Sequence, residues 1–142
     1  MLKRVLVGLD FSAASRQALA RALDWAGRMQ VPLVAVHVLQ PPAPMLPEAQ
    51  VALPDPGWLK DLEDHAKSQL ESWTEGMPNV SSYVVWGSPA EELVKEANAE
   101  TLLVVAQRGH SMLEHFLFGS TAAKVVKHAP CDVLVVRAED AK

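Results

Sequence analysis

Residues 101–137 read TLLVVAQRGHSMLEHFLFGSTAAKVVKHAPCDVLVVR, and the fold turns on how this stretch divides. Thr101 to Ala106 and Cys131 to Arg137 are short runs, rich in β-branched residues and nearly continuous in apolar character. That is the pattern of strands buried on both faces rather than on one. Between them, Gly119 to His128 reads as a helix, closed by Ala129-Pro130 because the residue before a proline is pushed out of the helical region. Two strands joined through a helix pair in parallel, by a crossover that is right-handed in nearly all sheets.

The same alternation continues upstream. Apolar runs recur at Arg4 to Leu9, Val31 to Leu39 and Val80 to Trp86. Leu19, Ala22, Leu23, Ala26 and Met29 keep helical spacing opposite Arg16, Gln17, Arg21, Asp24 and Arg28, with Ser12 as the expected N-cap. A second helix is expected from about Trp58 to Glu75, stopped by Gly76 and Pro78. Ser88-Pro89-Ala90-Glu91 opens a third, with a capping serine and a proline at the first helical position. The order β-α-β-α-β-α-β-α-β predicts an α/β fold, a doubly wound five-stranded parallel sheet with helices on both faces.

With 142 residues, the chain has the size of one domain, expected over residues 1–142. Its 49% hydrophobic and 21% charged residues are those of a globular protein. A net charge of −4 argues against a general electrostatic grip on nucleic acid, which needs many cations to neutralise phosphates. One cysteine, Cys131, excludes an internal disulfide framework and a Cys-rich zinc site. The apolar run after Lys3 and Arg4 ends at Asp10, shorter than a signal segment, and no stretch approaches the roughly 20 residues of a membrane span. The expected location is the cytoplasm, with no membrane partner.

Two connections are long. Gln40 to Gly57 carries six of the ten prolines and reads as a surface excursion, and Gln107 to Phe118 separates the fourth strand from the fourth helix. The seven glycines include no two that are two or five positions apart, which excludes both the dinucleotide and the Walker A patterns. No GxSxG elbow is present either.

The informative residues lie at strand ends. In a doubly wound sheet, ligands bind beyond the carboxyl ends of strands where the strand order reverses. The first strand ends in Gly8-Leu9-Asp10; the fourth ends in Ala106-Gln107-Arg108-Gly109 and leads to Gly119-Ser120-Thr121 at a helix start. Backbone N–H groups there favour an anion such as phosphate, and Ser120 and Thr121 add hydroxyl donors. Asp10 can accept from ribose hydroxyls, help to hold a divalent cation, or simply cap the first helix. Arg108, Lys124 and Lys127, with His110, His115 and His128, make either a solvated basic face or an electropositive surround for phosphates. No catalytic constellation and no metal-ligand spacing is recognisable. His37 reads as a satisfied core residue, and the four tryptophans as packing groups.

Taken together, VLVGLDFSAAS at the start, AVHVL in the second strand, GSPAEELV, and above all VVAQRGHSMLEHFLFGSTAAKVVKHAPCDVLVV resemble the universal stress protein family over essentially the whole chain. Its ATP-binding members carry Gly, two residues, Gly, nine residues, then Gly with Ser or Thr. Gly109, the nine residues after it and Gly119-Ser120 match; Ala106 stands in place of the first glycine.

The resemblance implies a Rossmann-like sheet in the order 3-2-1-4-5, with the first and fourth strands adjacent. It implies that ATP, or its relatives AMP and ADP, binds with Asp10 at the ribose and phosphates, the backbone around Val38 at adenine, and Gly109, Gly119, Ser120 and Thr121 at the phosphates, where magnesium can accompany them. Gly8, Leu9, Ala106 and Arg108 complete the expected surround. It further implies a homodimer through the fifth strand, Cys131 to Arg137, and an unidentified regulatory protein partner. Three functions follow: a nucleotide-dependent dimeric module in the stress response, a nucleotide-free dimeric scaffold, which Ala106 favours, and a slow ATP-hydrolysing enzyme.

Overall fold

Val5, Leu6 and Val7 are all fully buried although neighbouring side chains of a strand point to opposite faces, so the first strand is covered on both sides. The computed structural model describes residues 1–41, 56–107 and 120–138. Within them the order is β1 (Arg4–Gly8), α1 (Ala13–Met29), β2 (Leu33–Leu39), α2 (Pro56–Thr74), β3 (Val80–Trp86), α3 (Pro89–Glu96), β4 (Thr101–Gln107), α4 (Ser120–His128) and β5 (Asp132–Arg137). All pairings are parallel, in the order β3-β2-β1-β4-β5, as expected.

The two faces carry separate cores. Val5, Val7, Leu9, Val104 and Val136 meet Ala18, Leu19, Ala22 and Ala26 of α1 and Leu70 of α2. Leu6, Val36, Leu103 and Val105 meet Ala90 and Leu93 of α3 and Ala122 and Val125 of α4. The connection after β1 therefore leaves on one face and that after β4 on the other, which opens a crevice between them at the carboxyl ends of the strands.

Element boundaries differ from the sequence reading by a residue or two, for identifiable reasons. The second strand starts at Leu33 rather than Val31, because the Val31 N–H closes the end of α1 on the Ala26 carbonyl and Pro32 has no N–H to give. Cys131 falls just before β5, and α2 runs from Pro56 to Thr74. Ser12 caps α1 as expected, its Oγ accepting from the Ser15 N–H at 3.1 Å. At α3, by contrast, Pro89 does take the first turn, but the Ser88 hydroxyl makes no capping bond. Trp73 packs against the α1 core, whereas Trp25 and Trp58, expected to pack, are 41% and 46% exposed. Most of the Pro-rich excursion lies outside the described residues.

The amino end of the sheet is fastened by a polar network. Arg4 of β1 donates to the Thr101 hydroxyl at 3.1 Å, to a Glu96 carboxylate oxygen at 3.1 Å, and to the Glu96 carbonyl. Thr101, fully buried, donates in turn to the Asn98 side chain at 3.1 Å. Tyr83 of β3 feels the same Glu96: burial first, then hydrogen-bonding to Glu96 and its charge, push the phenol from 10.0 up to about 12.

Candidate functional site

The crevice holds a cavity of about 480 Å³, within the range of small-molecule sites. Gly8, Leu9 and Asp10 line it from the end of β1, Val36 to Gln40 from β2, Val105 and Ala106 from β4. Ser12 and Ser15 reach it from the start of α1, Pro89 and Leu93 from α3, and Ser120, Thr121 and Ala122 from α4. Seven residues singled out from the sequence thus line one cavity: Gly8, Leu9, Asp10, Val38, Ala106, Ser120 and Thr121. Arg108, Gly109 and Gly119, with His110 and His115, lie outside the described residues.

Among the described residues three helices begin at this cavity, and each presents N–H groups that its own helix leaves unpaired. Their electrostatics differ. The first turn of α3 contains Glu91 and Glu92, which answer the positive end of the helix, while the first turns of α1 and α4 contain no acidic residue. The start of α4, with the Ser120 and Thr121 hydroxyls, is therefore the better place for an anion.

Asp10 occupies the turn from β1 into α1. Its Oδ1 accepts the Ser12 N–H at 2.9 Å, so the carboxylate shapes the turn and is exposed at the cavity at once. Phe11 adopts φ 64°, a left-handed conformation that side chains seldom take. It is held there by ring contacts, 4.3 Å from His37 and 5.2 Å edge-on to Trp73, whose face carries the Arg16 guanidinium at 3.9 Å. Gly8 has a packing reason of its own, since a Cβ there would sit 2.6 Å from Leu93 Cδ1.

His37 is the residue the sequence reading assigned to the core. It is half-buried, lines the cavity, and its Nδ1 lies 2.7 Å from the Leu9 carbonyl. A carbonyl only accepts, so Nδ1 carries the proton and donates. The AVHVL string contained this histidine, but nothing in one strand announces a partner 28 positions away. Ser15 was also missed: it is buried, and its hydroxyl donates to the Ser12 carbonyl at 3.0 Å beneath the turn.

Among the described residues no three His, Cys, Asp or Glu side chains are grouped to hold a metal ion, and no helix is long and apolar enough to cross a membrane. Cys131 stands apart from the cavity, and burial pushes its thiol up from the ordinary 9.0.

The universal stress protein family model matches residues 1–137. A Staphylococcus aureus (strain USA300) protein assigned to that family is 30% identical over 147 residues, covering 97% of this chain and 86% of the relative. Among solved structures, the universal stress protein UspA of Lactobacillus plantarum is 28% identical with a TM-score of 0.75, covering 95% of this chain and 97% of its own. A universal stress protein solved in complex with cAMP is 27% identical with a TM-score of 0.60, over 94% and 95% of the two chains. The chain belongs to the universal stress protein family.

Proposed function

We propose that this stress-response protein binds an adenine nucleotide, ATP together with AMP and ADP, in the cavity between β1 and β4, and acts as a nucleotide-dependent module in the cytoplasm. One observation carries the reading. Asp10, Val38 and the first turn of α4 line a single cavity of about 480 Å³ at the switch point of the sheet. The relative solved with cAMP supports adenine-nucleotide chemistry in this fold.

The residues present suit the parts of such a ligand. In the β1–β2 ladder the Leu9 N–H donates to the Val36 carbonyl at 2.8 Å, so Val36 turns its peptide groups toward β1, and Val38, two residues on, turns its own the same way. Beyond the last β1 residue in register, that edge meets the cavity rather than a strand. There the Val38 carbonyl can accept from the adenine amino group, which guanine lacks at that position. Asp10 accepts from ribose hydroxyls, and Ser120 and Thr121 donate to phosphate, where a magnesium ion would be held by the phosphates themselves. Arg108, Gly109 and Gly119 complete the phosphate side of the proposal.

The protein is further proposed to act as one domain that dimerises along β5, an edge strand whose Val133, Leu134 and Val135 are half-buried, and to signal to a regulatory protein partner. Ala106, which lines the cavity where the family's ATP-binding members carry a glycine, favours a second reading, a nucleotide-free dimeric scaffold. Calorimetric titration decides between the two. Wild type should bind ATP in preference to GTP, Ser120→Ala should weaken ATP about 10- to 150-fold, and Gly119→Val should abolish binding with the fold kept. Absence of heat at millimolar ATP would leave the scaffold.

A further inference from the structure

We infer that His37 is a positioning residue of the site: by holding the Leu9 carbonyl, its imidazole keeps the Val38 N–H out of the sheet and available to a ligand. The ladder itself shows what His37 replaces. Val5 N–H donates to the Pro32 carbonyl and Leu9 N–H to the Val36 carbonyl, the even, slanted pattern of a parallel pair. Continued by one step, that pattern has the Leu9 carbonyl accept from the Val38 N–H. The carbonyl instead takes the Nδ1–H of His37 at 2.7 Å, and among the described residues no backbone bond joins it to Val38.

The diversion is built rather than incidental. Phe11 stacks against the imidazole with centroids 4.3 Å apart and is itself braced by Trp73. Leu9 is buried, so a carbonyl that lost its donor would seek the nearest one, and register makes that the Val38 N–H. His37 thus sets whether Val38 offers a ligand one backbone group or two: the carbonyl for an amino group, and the N–H for a ring nitrogen beside it. A purine edge carrying a donor next to an acceptor matches that pair. Because Nδ1 is the donor, the tautomer of the neutral ring is fixed, with Nε2 left as an acceptor.

The ligand side of this inference rests on the nucleotide-binding reading, whereas the backbone side does not, and amide hydrogen exchange on the ligand-free protein tests the latter alone. In wild type the Val38 amide should exchange at least 10-fold faster than that of Val36, its neighbour in the ladder. Equal protection of the two overturns the inference without any variant. His37→Phe keeps a ring against Phe11 but removes the donor, and should slow Val38 exchange toward the Val36 rate. His37→Asn, whose amide nitrogen stands two bonds beyond Cβ as Nδ1 does, should restore the fast rate. A His37→Phe protein with unchanged Val38 exchange overturns the proposal.

Titration with ATP then reads the functional consequence. His37→Phe should weaken binding about 3- to 10-fold, the loss of one uncharged hydrogen bond, and His37→Asn should recover it. Equal ATP affinity in wild type and both variants removes His37 from the site. If wild type binds no ATP while Val38 exchanges as expected, the nucleotide reading has failed and the backbone assignment stands.

Discussion

Gly8 carries two demands at one position, since it faces the cavity and its missing side chain admits Leu93 of α3. Leu93 is only 3% exposed, so it has little room to retreat from a Cβ at 2.6 Å. Gly8→Ala should therefore cost about 1–3 kcal/mol by overpacking, read as a lower denaturant midpoint at unchanged slope. Tyr83 offers an independent measurement, because it is the single tyrosine and phenolate absorbance reports it alone. Its titration midpoint should lie near 12 in the folded protein. The folded state thus keeps the proton longer than the unfolded chain, so the stabilising contribution is whole below about pH 10 and is lost as pH rises toward 12. Glu96→Gln should lower the midpoint yet leave it above 10, since burial outranks the Glu96 bond among its causes.

At the scale of elements, the two serine caps separate sequence pattern from realised bond. Ser12→Ala removes an oxygen that accepts a backbone N–H at the start of α1 and should cost about 0.5–2 kcal/mol. Ser88→Ala removes no capping bond and should stay within about 0.5 kcal/mol of wild type in the same thermal melt. Both serines look alike in sequence, which is why their difference was not legible there. Strand order came with the family resemblance, whereas strand existence was legible, because burial on both faces leaves a run such as Val5-Leu6-Val7 apolar at every position. Strand ends were not, because they depend on which donor reaches a carbonyl first. Asp10, Ala106, Ser120 and Thr121 could be placed together before any coordinates, since a doubly wound sheet gathers the carboxyl ends of its strands where their order reverses, while Val38 was added by the family resemblance. His37 escaped that logic: a histidine within a strand reads the same whether it fills a core or holds another strand's last carbonyl. β5 supplies the last element-level test. On the dimer proposal, Leu134→Pro takes a backbone donor from the edge and should shift sedimentation toward monomer.

For the whole molecule, the sheet has a closed end and an open one. Arg4, Glu96, Asn98 and Thr101 tie β1, α3 and β4 together where the strands begin, while the cavity lies where they finish. Disturbance of the candidate site need not loosen the anchored end, so Tyr83 serves as an internal control for variants such as His37→Phe. The early halt of the β1–β2 ladder has a thermodynamic corollary on the proposed function. A bound purine would occupy the hydrogen-bonding place of the next strand residue, so that association amounts to the final step of assembling the sheet. Ligand concentration then enters the folding equilibrium itself, adding about 2.7 kcal/mol at one hundred times the dissociation constant. A protein built this way would be least robust when its nucleotide is scarce, and its lifetime in the cell would follow the supply of the molecule it senses.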